Sequence, residues 1–264
     1  MWNELKVLLG NGSKALNAGA LFNAGLFCIC LGLSFIDERS IMGVNPWLKP
    51  MKFSLSVMIY CLTLSMILAL VDGFDKLRLW LGRAVAALMY VEMAAITIQA
   101  ARGVTSHYNI ATALDAGIFS AMGLAIGLNT VLDSVVFGLM ILVPVATLPT
   151  GVLWGIRFGL MMFIAAGFEG GMMIMNQAHT VGAPDGGAGI PWANWSREHG
   201  DLRVAHFIGL HALQILPVFG LLVDRILKPD LWRAIAVSAA AGGLGWLMWM
   251  QTRLATSGQP FFRF

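Results

Sequence analysis

Six ionisable side chains, Glu92, Asp133, Arg157, Glu169, His206 and His211, lie within or at the edge of long apolar runs. A charge at the centre of a bilayer costs about 2.5–3.5 kcal/mol on insertion scales, so such residues are paired or used. Carboxylates and imidazoles together can pass protons, ligate a transition metal or, through imidazole alone, hold haem iron. Each chemistry asks for a different geometry.

Spacing sorts these residues. Glu92, Gln99 and Arg102 recur at +7 and +3 and so share one helical face. His206 and His211 are five residues apart, about 140° around a helix, and cannot both point squarely at one partner. Gln214 lies between their directions. Asp133 and Arg157 sit on consecutive apolar runs joined by a short loop, which predicts a structural ion pair that Asn129, one turn before Asp133, can extend.

Three chemistries follow. Transport or a proton relay makes Glu92 and Glu169 the charge carriers and His206 their titrating partner, with Gln99 and Arg102 along the path. A haem b protein pairs His107 with His206 or His211 as axial ligands, with Gly103 and Gly209 leaving room for the macrocycle. A divalent, non-haem metal site draws on Glu92, Glu169, His107, His206 and His211 and suits iron, zinc or manganese. The histidine-box spacings of membrane hydroxylases are absent, as is the G-x-S-x-G elbow of serine hydrolases. A further alternative is a non-catalytic subunit of a membrane complex. The sixteen methionines, Met172, Met173 and Met175 among them, read as flexible apolar filler rather than copper ligands.

The elements that position these residues are membrane helices. The chain has 264 residues, 58% of them hydrophobic and 12% charged, about half the charge density of a soluble domain. Apolar runs predict seven spans, at about 16–36, 51–71, 79–103, 116–143 (closed by Pro144), 151–175, 203–223 and 231–254, in one all-α domain. The odd count argues against a simple two-half transporter. Cys28 and Cys30 face different ways on one helix and Cys61 lies in another, so no disulfide is expected. Gly167-x2-Gly170-Gly171 and Gly242-Gly243-x-Gly245 predict close helix packing. The start of the chain, where Lys6 and Lys14 flank the short apolar stretch 7–9, does not read as a cleaved signal peptide, so the first span is expected to stay as an anchor.

Between the spans, Asn45-Pro46-Trp47-Leu48-Lys49-Pro50 reads as a rigid interfacial turn, with Trp47 at the headgroups and Lys49 and Lys52 near lipid phosphate. The Gly- and Pro-rich stretch 176–201 is the longest connection, and its Trp192 and Trp195 suit interfacial anchoring. Asp201 reads as a cap for the following helix, and Arg203 as a partner for Glu198 or Glu169.

Seven spans place the loops alternately on two faces. Face A carries loops 1–2, 3–4 and 5–6 and the C-terminus; face B carries the N-terminus and the rest. Each face has eight basic residues, Arg263 closing the set on face A. The clustering of face-B cations in short loops favours a cytoplasmic N-terminus. By depth, Glu92, Glu169, His206, His211, His107 and Arg102 fall in the face-A half, with His107 and Arg102 where the third span exits. They would form one polar pocket if their helices touch. No basic block suggests nucleic-acid binding; the expected partners are the lipid bilayer and further copies or subunits.

The stretches NPWLKPMKF, QAARGVTSHYN and DLRVAHFIGLHALQILP resemble a family of bacterial polytopic membrane proteins whose activity is uncharacterised. The resemblance covers about one-seventh of the chain. It implies a multi-pass protein of the bacterial inner membrane and carries over no reaction. Seven-span zinc hydrolases are not matched, because their late His-x3-His has no counterpart in 231–254.

Overall fold

The computed structural model describes residues 10–143, 145 and 148–261. Lys6, the stretch 7–9, Pro144 and Arg263 lie outside the described residues. Among those described, seven long helices form: α1 (Lys14–Ser34), α2 (Leu48–Ala69), α3 (Asp75–Arg102), α4 (Ala113–Leu142), α5 (Thr150–Asn176), α6 (Arg203–Ile226) and α7 (Asp230–Thr256). All seven are long and apolar enough to cross a membrane. Only 17% of the apolar window of α7 is buried, and the remainder is surface that a bilayer would cover. The protein is an integral multi-pass membrane protein of all-α class. Its one sheet among the described residues is a two-residue antiparallel ribbon, β1 (Thr180–Val181) with β2 (Gly200–Asp201), in the α5–α6 connection.

Most helices run a few residues past the apolar stretches, because polar residues complete their ends. Ser13 accepts from the Leu16 amide to start α1. Asp75 opens α3, where a carboxylate suits the positive end of the helix dipole. Gly103, at φ 76°, closes it in the left-handed conformation that glycine adopts without strain. The expectation that the two prolines hold off α2 is corrected: Leu48 starts the helix and Pro50 sits in its first turn, where an amide hydrogen has no intrahelical partner.

The chain divides into two compact units, Met1–Leu132 and Asp133–Phe264, within α4. In the first, α1, α2 and α3 pack on one another; in the second, α5, α6 and α7 do. The three cysteines are free thiols.

The α5–α6 contact is the closest. A Cβ on Gly151 would meet the Gly220 carbonyl at 2.6 Å, on Gly155 the Leu216 carbonyl at 2.5 Å and on Gly159 the Ala212 carbonyl at 3.0 Å. The small residues recur every fourth position and let backbone meet backbone. Of the glycines expected to do this, Gly170 lies against the His206 ring, a Cβ there meeting it at 3.5 Å, whereas Gly171, Gly242, Gly243 and Gly245 face nothing within 4 Å. Asp224 fastens the start of α5 by accepting from the Gly151 and Val152 amides at 2.8 and 2.9 Å.

Candidate functional site

In the first unit the site begins at Glu92, which is 2% exposed. It stands ten residues before the end of α3, about 15 Å along the helix. Yet His107, five residues after that end, has its Nε2 3.8 Å from Glu92 Oε1. Connection 103–112 therefore doubles back beside α3, reversing at Gly103 and carrying Tyr108 at φ 58°. His107 is not at the exit of the span, as its place in the chain suggests, but level with the buried carboxylate. Irregular backbone at such a depth needs protein or a polar cavity around it. Here Phe53, Tyr108 and Phe119 ring His107 at centroid distances of 6.1, 5.9 and 6.2 Å.

The other imidazole nitrogen meets Lys49. Its Nζ lies 3.1 Å from His107 Nδ1, with Ser106 Oγ at 3.1 Å from the same atom. An ammonium only donates, so Nδ1 is the accepting nitrogen and the ring hydrogen sits on Nε2, toward Glu92. Lys49 thus faces the histidine rather than lipid phosphate. Glu92 Oε2 is buried with no hydrogen-bond partner. The geometry is a chain, Lys49 to His107 to Glu92, with one carboxylate oxygen left over.

Around it the first unit is pinned by two networks. Asp115 accepts from Gln99 at 2.9 Å, from Arg102 at 2.5 Å and from Thr112 at 2.6 Å, and Arg102 also donates to Gln99. Gln99 and Arg102 tie α3 to the start of α4. At the other network, Trp47 is buried and its indole donates to Asp37 at 2.8 Å, which corrects its expected place among headgroups. Arg39 bridges Asp37 to the Ala101 carbonyl near the end of α3. The Arg39 hydrogen bond, with help from its charge and from Trp47, holds the Asp37 carboxyl well below the usual carboxylate range despite some desolvation. These contacts set the start of α2, and so Lys49, beside the end of α3. Asn129 exchanges hydrogen bonds with Tyr60 at 3.2 and 3.0 Å.

In the second unit Glu169 Oε1 accepts from Thr252 of α7 at 2.6 Å, and Oε2 is buried without a hydrogen-bond partner. His206 Nδ1 donates to the Ala166 carbonyl at 2.7 Å, which orients the ring on α5. His211 packs against Phe207 with the rings tilted by 55° and their centroids 4.2 Å apart, and it bonds Gln214. The two histidines thus serve different neighbours. Arg157 donates to the Met140 carbonyl at 2.9 Å and lies over the Trp154 ring at 5.1 Å; Asp133 is fully buried. Arg203 pairs with Asp201 at 2.6 Å, not with a glutamate, and Asp201 accepts the Arg203 amide as expected of a cap. In the connection, Asp185 gathers the His179 imidazole at 2.6 Å and the His179 and Thr180 amides. Burial opposes its ionisation, but these donors outweigh it and hold its carboxyl far below the usual range.

For haem, His107 is ill placed in this arrangement, since one ring nitrogen is taken by Lys49 and Ser106 and the other faces Glu92. Among the described residues, no three His, Cys, Asp or Glu side chains converge within either unit to hold a metal ion.

Lys49 and the aromatic side chains around His107 escape sequence reasoning, because Lys49 and Tyr108 lie where the chain pattern reads as interfacial turn and loop, while Phe53 and Phe119 read as ordinary apolar residues of their spans. Compared with family models, curated proteins and solved structures, the chain matches none.

Proposed function

We propose that this protein handles small molecules across the bacterial inner membrane in a proton-linked way, with Glu92 as the proton-binding group and His107 and Lys49 as its path to face A. The observation that carries this reading is the return of connection 103–112 to a buried carboxylate. A loop that brings an imidazole back to an intramembrane acid, with an ammonium on its far nitrogen, has the parts of a relay. In the step, Glu92 takes the hydrogen from His107 Nε2 as Nδ1 takes one from Lys49, and water at face A restores the ammonium. Gln99 and Arg102 hold the helix ends that frame this path. Within the second unit, Glu169 and His206 are proton-handling groups, and Asp133 with Arg157 a structural ion pair.

Infrared difference spectra of the purified protein, stepped in pH, test it. A carboxyl band that titrates in the wild type and vanishes in Glu92→Gln supports the relay; a spectrum unchanged by Glu92→Gln overturns it. A Soret band or stoichiometric metal in the same preparation would instead favour the redox alternative and require His107 to give up its present partners.

A further inference from the structure

Glu169 poses a question of hydrogen counting. Thr252 Oγ1 lies 2.6 Å from Glu169 Oε1 and 3.0 Å from the Met248 carbonyl, one turn back on α7. A threonine hydroxyl owns one hydrogen and cannot donate to both at once. A separation of 2.6 Å between two oxygens requires a hydrogen between them. Only its owner can change. With Glu169 ionised, Thr252 turns its hydrogen to Oε1 and the Met248 carbonyl keeps only its helical partner. With Glu169 protonated, the acid donates to Oγ1 and the hydroxyl turns back to Met248, the ordinary back-bond of a helical threonine. The hydroxyl fits both states without moving a helix.

The surroundings leave this task to Thr252. Glu169 Oε2 is buried without a hydrogen-bond partner. From α6, the facing titratable group is His206, whose ring lies against Gly170 and is held by the Ala166 carbonyl. His211, further along α6, is engaged with Phe207 and Gln214. On α7, Arg253 follows Thr252 and points about 100° away around the helix. Thr256, one turn toward the end of α7, donates to the Thr252 carbonyl at 2.8 Å and is exposed, so the joint lies one turn below solvent-reachable polar groups.

We propose that Glu169 and Thr252 form a proton-binding site of their own, in which the threonine hydroxyl swings between carboxylate and helix carbonyl as the proton leaves and returns. This deepens the proton-linked reading above, which it presupposes, by adding a second site that joins α5 to α7 in either state. The proton is taken from and returned to water, so no other reactant is needed.

The same infrared titration on the full-length protein decides it. Expected is a carboxyl band lost in Glu169→Gln and kept in Glu92→Gln. In Thr252→Val the band stays but rises to the frequency of a carboxyl without a hydrogen-bond partner; in Thr252→Ser it stays where it was. A band unmoved by Thr252→Val, or none lost in Glu169→Gln, overturns the site. If Glu169→Gln does not fold, protein labelled with carbon-13 at the glutamate carboxyls answers through the Thr252→Val and Thr252→Ser pair alone. Failure of the Glu92 reading looks different, since it leaves the spectrum of Glu92→Gln identical to wild type.

Discussion

A side chain in this molecule does chemistry according to which of its atoms remain unanswered. Glu92 has one oxygen facing the His107 Nε2 at 3.8 Å and one with no hydrogen-bond partner, the feature on which the proposed relay rests. In that proposed relay Lys49, as the donor to Nδ1, supplies the incoming proton, and Lys49→Met should slow proton arrival at Glu92 by about 10²-fold, the scale of one positioned acid–base group. A pH jump followed in the Glu92 infrared band measures this, and an unchanged rate would remove Lys49 from the path. Glu92 is legible in the sequence because a carboxylate in an apolar run is conspicuous. Lys49 is not, because a lysine beside Trp and Pro at a span's edge reads as lipid contact. His107 is half legible: its type is noticed, but its depth depends on a chain reversal that no periodicity reports. Asp185 makes a different kind of prediction. Its folded-state carboxyl titrates below the unfolded value of about 3.9, so its contribution is complete above that pH and is lost as pH falls through the lower folded value. Hydrogen exchange at the His179 and Thr180 amides should stay slow through the ordinary carboxylate range and quicken only in stronger acid. Asp185→Asn should make both amides exchange fast at neutral pH, with α5 and α6 unaffected.

Elements obey packing more than composition. The seven spans are legible because about 20 apolar residues in a row have one stable conformation in lipid. Which face of each helix meets a neighbour is less so. Two glycine clusters looked suited to close packing, yet those of α7 face open space, while Gly151, Gly155 and Gly159 carry the α5–α6 contact. The signal was present as a glycine every fourth residue, the spacing that keeps small residues on one face; the cluster at 242–245 lacks that repeat. Gly155 is the sharpest test, because its Cβ would meet the Leu216 carbonyl at 2.5 Å, backbone that cannot give way. Gly155→Leu should therefore separate α5 from α6 and cost at least about 1–3 kcal/mol, the usual penalty of overpacking. Gly243→Leu, on open surface, should cost little. Thermal melts of the two variants in one detergent compare them, and equal losses would mean the α5–α6 seam is not what holds the second unit. The loss in Gly155→Leu should be accompanied by faster exchange around His206, whose ring rests on the α5 carbonyl of Ala166.

At the scale of the whole molecule, the count of spans matters less than their grouping. Three helices pack together in each unit, and the division falls within α4. What neither the count nor the packing provides is direction across the membrane. The positive-inside rule works through an excess of Lys and Arg on one side, and eight basic residues on each face cancel it. Several of those cations are also spent within the protein: Arg39 on Asp37, Arg102 on Asp115 and Arg203 on Asp201 on face A, and Arg78 on Asp75 and Arg233 on Asp230 on face B. The clustering of face-B cations in short loops is what favours a cytoplasmic N-terminus, which we propose with the 176–201 connection outside. Ala188 lies exposed in that connection. In intact cells Ala188→Cys should react with a membrane-impermeant maleimide, whereas a cysteine at Lys228, in the short α6–α7 loop, should react only after the membrane is opened. The reverse pattern would turn the molecule over and make face A cytoplasmic, so that the Lys49–His107–Glu92 path would load its proton from inside.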